Sequence, residues 1–182
     1  MADSVIIMTP SGGQGKTFLS QVFGAFSNHQ LVSVDRAAYG KSKLGRMAKG
    51  VREFDLVTHM AENDEDSDFF IDLVSLFLGR PCVVDFGANL SDEFLKYLRD
   101  GFINMADAAI SNLIFVVPMT SDIQSQRAAS TVIEQIGTLP FMPYVKIVAV
   151  MNEVRGSFEM DLDLGARELV SKSLIFPRCN SS

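Results

Sequence analysis

"VIIMTPSGGQGKTFLSQVFGAF", Val5 to Phe26, holds three successive patterns that together decide the fold. Val5-Ile6-Ile7-Met8 is an unbroken apolar run of strand length. Gly12, Gly13 and Gly15 then leave a turn almost free of side chains, so backbone N–H groups can face an anion. Phe18, Leu19, Val22, Phe23 and Phe26 recur at helical spacing on one face. A strand, a glycine-rich turn and a helix in this order aim free N–H groups and the positive end of a helix dipole at the turn, which suits phosphate. Lys16 can reach the β- and γ-phosphates of a nucleotide, and the Thr17 hydroxyl can ligate Mg²⁺. Gly15-Lys16-Thr17 fit the phosphate-loop pattern G-x-x-x-x-G-K-[ST], but Pro10 stands at its first glycine.

The rest of the chain repeats the alternation. Leu31–Val34 reads as a strand ending at Asp35, and 40–51 as a basic loop with a short helix. A helix over Phe69–Leu78 is stopped by Gly79 and Pro81, and Cys82–Phe86 is a buried strand carrying Asp85 near its end. Ser91 caps a helix to about Phe102, and Leu113–Val117 is a strand ended by Pro118. Ser121 or Asp122 opens a helix to about Ile136, and Val145–Met151 is a strand followed by Asn152. A short helix over 164–172 leads into Leu174-Ile175-Phe176 and Pro177. Apolar strands separated by helices imply an α/β fold with a mostly parallel sheet, covered on both faces. Its 182 residues suit one nucleotide-binding domain over 1–182.

Ligands on such sheets bind beyond the C-terminal strand ends. That singles out Pro10 to Thr17, Asp35, Asp85, Pro118 and Asn152. Asp85 suits a carboxylate that holds a Mg²⁺-bound water, Asp35 can face the γ-phosphate, and the Asn152 amide can read the edge of adenine. His29 and His59 have no metal-like or triad-like neighbours in the sequence.

Composition narrows the classes. The chain is 47% apolar and 21% charged, ordinary for a globular domain, and no apolar run is long enough to span a bilayer. Cys82 and Cys179 match no metal-ligand spacing, and with no basic leader at the start the expected compartment is the cytoplasm. A net charge of −6 argues against coating nucleic acid with the whole surface. Yet Arg36, Lys41, Lys43, Arg46, Lys49 and Arg52 form a strip without acids, followed by an acidic run from Glu53 to Asp72. The two read either as solvated segments that pair with each other or as a basic contact surface.

These motifs resemble the ParA/MinD family of P-loop ATPases, whose loop reads K-G-G-x-G-K-[ST]. "SGGQGKT" matches all of it but the first lysine, and the family does not require the glycine that Pro10 replaces. "LVSVDRAAYG" resembles the family's D-x-D-x-x-G motif with Asp35 and Gly40 in register, "PCVVDFGANLSDEF" its Walker B strand, and "VAVMNEV" its adenine-reading Asn. "FVVPMTSDIQSQRAA" is similar to its strand ending in proline before a switch helix, and "IFPRCN" to its last short strand. The resemblance implies ATP and Mg²⁺ as cofactors. Ser11, Gly12, Gly13, Gln14, Gly15, Lys16, Thr17, Phe18, Asn152 and Pro177 would bind the nucleotide; Thr17, Asp35 and Asp85 would bind the metal; Lys16 and Asp35 would be catalytic.

Two departures stand out. The family's signature lysine, which reaches across an ATP-sandwich dimer, falls at Ser11, and the second acid of D-x-D falls at Ala37. Phosphoryl transfer is mostly positioning plus charge stabilisation, so their loss should spare binding more than turnover. Lys41 or Lys43, in the loop after Asp35, could substitute from a partner subunit. The resemblance thus implies a weak ATPase acting as a nucleotide-dependent homodimer switch in DNA or plasmid partitioning, stability or mobilisation. It would work with a partner protein, and with non-specific DNA through the basic strip, without membrane insertion. The alternatives are a non-catalytic nucleotide-binding interaction module and, less well supported, a small-molecule P-loop kinase or ligase.

Overall fold

In the computed structural model, which describes residues 3–36, 42–62, 66–101, 113–141, 145–157, 162 and 164–176, the apolar runs become parallel strands of one sheet. They are β1 (Ser4–Ile7), β2 (Gln30–Asp35), β3 (Arg52–Asp55), β4 (Cys82–Phe86), β5 (Leu113–Thr120), β6 (Val145–Asn152) and β7 (Lys172–Phe176). Their order is β3-β2-β4-β1-β5-β6-β7. The helices are α1 (Lys16–Ser27), α2 (Lys43–Met47), α3 (Leu56–Glu62), α4 (Asp66–Gly79), α5 (Ser91–Gly101), α6 (Ile123–Gly137) and α7 (Leu164–Leu169). The α/β fold with helices on both faces is as the sequence predicts.

The period-2 alternation of each strand divides the core between the two faces. Ile6, Met8, Val84, Phe115 and Val117 face one side, where Phe69, Phe94 and Ile133 from α4, α5 and α6 pack on them. Val5, Ile7, Val83 and Val116 face the other, under Leu19 of α1. Cys82 is buried in β4, and burial pushes its thiol up to about 11, so it is core rather than chemistry.

The strand order makes β1 the switch point. From β1 the chain passes to β2 on one side, with β4 filling the gap between them, while β5 lies on the other. Pairing of Ile7 with both Asp85 and Val116 brings the exit of β1 level with the Walker-B-like acid.

Several elements differ from the sequence reading, among them α3, a helix which that reading did not include. Arg52–Asp55 is an edge strand paired only with β2, and it interrupts the expected run of acids. Its charges suit an edge, where they discourage pairing with another chain. Pro118 does not end β5, which continues to Thr120 paired with β6. Met8 N–H donates to the Val116 carbonyl, so Val116 and Pro118, two residues on, both face β1. At Pro118 β1 has already ended, and the missing N–H costs no ladder bond. Finally, α7 stops at Leu169, because Ser171 N–H donates to the Ile147 carbonyl and joins the chain to β6.

Candidate nucleotide site

Beyond the end of β1, residues 10–15 form the turn that the glycines predict. Gly13 and Gly15 take left-handed φ angles of 75° and 94°. A Cβ on Gly15 would also lie 2.8 Å from Asn152 Nδ2, so that glycine is required twice over. A Cβ on Gly12 would meet nothing, and the chain offers no packing reason for the glycine there. Such bare backbone suits close approach of a ligand.

The loop is fastened from behind. Gln14 is buried, and its Oε1 accepts from the Ser125 hydroxyl at 2.7 Å, while Ser125 Oγ accepts from Thr120 N–H at 2.9 Å. Asp122 caps α6 by accepting from Gln124 and Ser125 N–H. Asn152 Nδ2 donates to the Gln14 carbonyl at 3.3 Å, and its Oδ1 accepts from Val154 N–H. The loop is thereby tied to the ends of both β5 and β6.

In front of the loop lies a cavity of about 320 Å³. Residues 12–18 line it, Asp35 and Asp85 stand at the ends of β2 and β4, and Ser42, Lys43 and Met47 complete the lining. Gly87 N–H donates to the Val34 carbonyl at 2.7 Å, and a Cβ on Gly87 would sit 3.0 Å from Asp35 Oδ1. This glycine lets the exit of β4 press against β2 and brings the two acids to one cavity.

The charges here are under tension. Burial lowers the pKa of Lys16, against the opposing effect of Asp85 and Asp35. Lys16 Nζ donates to the carbonyls of Ser11 at 2.9 Å and Thr9 at 3.3 Å, folding back on its own loop. Burial raises Asp85, while the Thr17 side chain beside it and Lys16 favour its ionised form. A buried carboxylate held by a hydroxyl and a lysine, with a second acid nearby, is a site that an added cation would relieve.

The chain has the ParA/MinD-type P-loop fold. The MinC:MinD cell division protein complex of Aquifex aeolicus superposes with a TM-score of 0.54 at 15% identity, over 98% of this chain and 82% of that one. A ParA family ATPase from Chlorobium tepidum TLS matches with a TM-score of 0.49 at 14% identity, over 97% of this chain and 85% of that one. Apo McdA of Cyanothece gives 0.44 at 12% identity, over 100% and 87%. No protein-family model matches the sequence, and no curated protein matches it.

Within that ParA/MinD-type frame, the structure brings Gly12, Gly13, Gln14, Gly15, Lys16, Thr17, Phe18, Asp35 and Asp85 to one cavity. Ser11 is next to it, and its carbonyl holds Lys16. Asn152 lies behind the loop rather than on the cavity wall. Pro177, Ala37, Gly40 and Lys41 lie outside the described residues. The basic strip does not stay together. Arg36 pairs with Glu93 at 2.8 Å, Lys43 lines the cavity, and Arg46, Lys49 and Arg52 lie toward the β3 edge. Sequence reasoning missed Ser125 and the anchoring role of the Gln14 side chain; their partnership spans 111 positions and leaves no local signal. It also missed Arg80, which shares a cavity with Lys49 and donates to Gln30. No helix among the described residues is long and apolar enough to cross a membrane.

Proposed function

We propose that the chain binds Mg²⁺–ATP in this cavity, hydrolyses it slowly, and uses the bound nucleotide to switch its state of association in DNA or plasmid partitioning, stability or mobilisation. The observation that carries the reading is the bare, left-handed glycine loop leading into α1 opposite two converging acids. Backbone N–H groups of residues 12–17 and Lys16 would hold the phosphates. Among the described residues no three His, Cys, Asp or Glu side chains converge as a metal cage. Mg²⁺ fits better, since it rests on one or two carboxylates plus phosphate oxygens. Thr17, Asp85 and Asp35 are the residues to hold it. When bound, the ion neutralises charge on the β- and γ-phosphate oxygens.

The association half of the proposal is supported by where exposed apolar side chains gather. Phe18, Val57, Ile123 and Val154 each stand exposed shortly after the C-terminal end of a strand, on the end of the sheet that carries the cavity. Exposed apolar side chains on that end of the sheet suit contact with a second copy of the chain or a partner protein. A contact with DNA would draw on Arg46, Lys49, Arg52 and Arg80, since Arg36 is paired and Lys43 faces the cavity.

The test is sizing of wild type and Lys16→Ala with ATP, ADP and no nucleotide, beside direct binding. The expected result is a dimer formed by wild type with Mg²⁺–ATP alone. Lys16→Ala should bind ATP roughly 10- to 100-fold more weakly, the loss of a charged hydrogen-bond donor to phosphate. Wild type that binds no ATP would overturn the proposal. ATP binding without any change of size, and with phosphate release no faster than that of Lys16→Ala, would favour the non-catalytic module.

A further inference from the structure

We infer that Lys43 recognises the terminal phosphate of the bound nucleotide from within the same subunit, so that discrimination of ATP from ADP does not require a dimer. The inference rests on the reading of the cavity as a triphosphate site, and it adds a residue which that reading does not contain. Lys43 lines the same cavity as the glycine loop and the two acids. Among the described residues it forms no ion pair, unlike Arg36, Arg99 and Lys146, which pair with Glu93, Asp100 and Asp3. Its charge nevertheless reaches the cavity floor, where it favours the ionised form of Asp85.

The charges in the cavity call for such a group. Asp35 and Asp85 already face it, and a triphosphate with one divalent ion adds further negative charge. Lys16 answers part of that, but it lies at the loop and is held by the Ser11 and Thr9 carbonyls. Ser11 contributes no charge. The remaining cation on the wall is Lys43.

The mounting of Lys43 supports the role. A five-residue helix does not hold itself together, and α2 is held by its surroundings. Ser42 caps it, accepting from Gly45 N–H at 2.9 Å. The Glu53 carboxylate accepts from Ser42 N–H at 3.1 Å and from the Ser42 hydroxyl at 3.3 Å. Leu44 is fully buried, whereas Lys43 stays exposed and free to reach the cavity. The backbone that carries the side chain is held at Ser42 and Leu44 while the side chain itself is exposed, an arrangement suited to meeting a phosphate that is sometimes absent.

The experiment measures ATP and ADP affinity of wild type, Lys43→Gln and Lys43→Arg by calorimetry, at concentrations where sedimentation shows monomer. Lys43→Gln should lose roughly 10- to 100-fold in ATP affinity, as expected for one charge-assisted contact, while its ADP affinity changes less than about twofold. Lys43→Arg should restore most of the ATP affinity. Equal losses for ATP and ADP, or no loss for either, would overturn the inference. A loss seen only at concentrations where dimer forms would also overturn it, because the lysine would then serve the partner's site. If wild type binds neither nucleotide, the reading of the cavity itself has failed, a result distinct from a wild type that binds both and a variant that behaves identically.

Discussion

The two walls of the cavity are built by opposite means. The loop over residues 12–17 is fixed by bonds from distant positions, Ser125 on Gln14 and Asn152 on the Gln14 carbonyl, and by Lys16 on its own loop. The α2 wall depends on one buried side chain, Leu44, and one carboxylate, Glu53, from the charged edge strand. A wall fastened from behind keeps its shape whether or not a ligand is present. A wall held by a plug and a clamp is fixed at those two points and leaves the exposed Lys43 side chain to respond to what enters. The contrast suggests a division of labour, with affinity for the constant part of a nucleotide on the first wall and response to the variable phosphate on the second.

The contrast can be broken most severely at Leu44. Leu44→Ala should cost about 2–5 kcal/mol in chemical denaturation, the range for emptying a fully buried leucine site. It should also carry away whatever ATP-over-ADP preference Lys43 provides. A loss well under about 1 kcal/mol would mean that α2 is held by something other than its plug.

On the other wall, Ser125→Ala leaves the buried Gln14 Oε1 without its donor and Thr120 N–H without its acceptor. The expected cost is roughly 1–3 kcal/mol, with weaker binding of ATP and ADP alike, since the proposed function has the loop hold the phosphates they share. Selective loss of ATP would erase the distinction between the walls.

The smallest effect should have the opposite sign. The pKa of Asp85 lies above its unfolded value because of burial. The native state therefore holds that proton more tightly, and this group's contribution to stability falls as pH rises through the interval between the two values. Asp85→Asn should remove that slope and melt slightly higher than wild type at neutral pH without Mg²⁺. Binding of Mg²⁺–ATP should then stabilise wild type more than the variant. A variant that melts lower than wild type at neutral pH would show that Thr17 and Lys16 outweigh the burial cost.

The loop wall was legible in the sequence because its conformation is local. Glycines that permit positive φ, a lysine one step on, and apolar runs before and after are all read within some twenty positions. The acids at the ends of β2 and β4 were legible for a related reason, since each follows an apolar run and parallel sheets gather such ends. What could not be read depends on docking. β3 carries Phe54 among three charged residues, with Arg52 stacked 5.0 Å from its ring, so its strand character comes from pairing with β2 and not from alternation of its own. Whether Pro118 ends a strand depends on which neighbour has already left. Whether Lys43 faces solvent or the cavity depends on where Leu44 buries, which no spacing rule states.

Pro118 has a consequence for misfolding. Because β1 stops while β5 and β6 continue, the sheet has an interior edge in addition to its two outer ones, in the middle of its most apolar region. An edge of that kind is where a stray segment, from this chain or another, would add itself during folding. The proline withholds a donor in the middle of that opening, so an intruding strand would gain an incomplete ladder. The gap above β1 is thereby kept for the glycine turn.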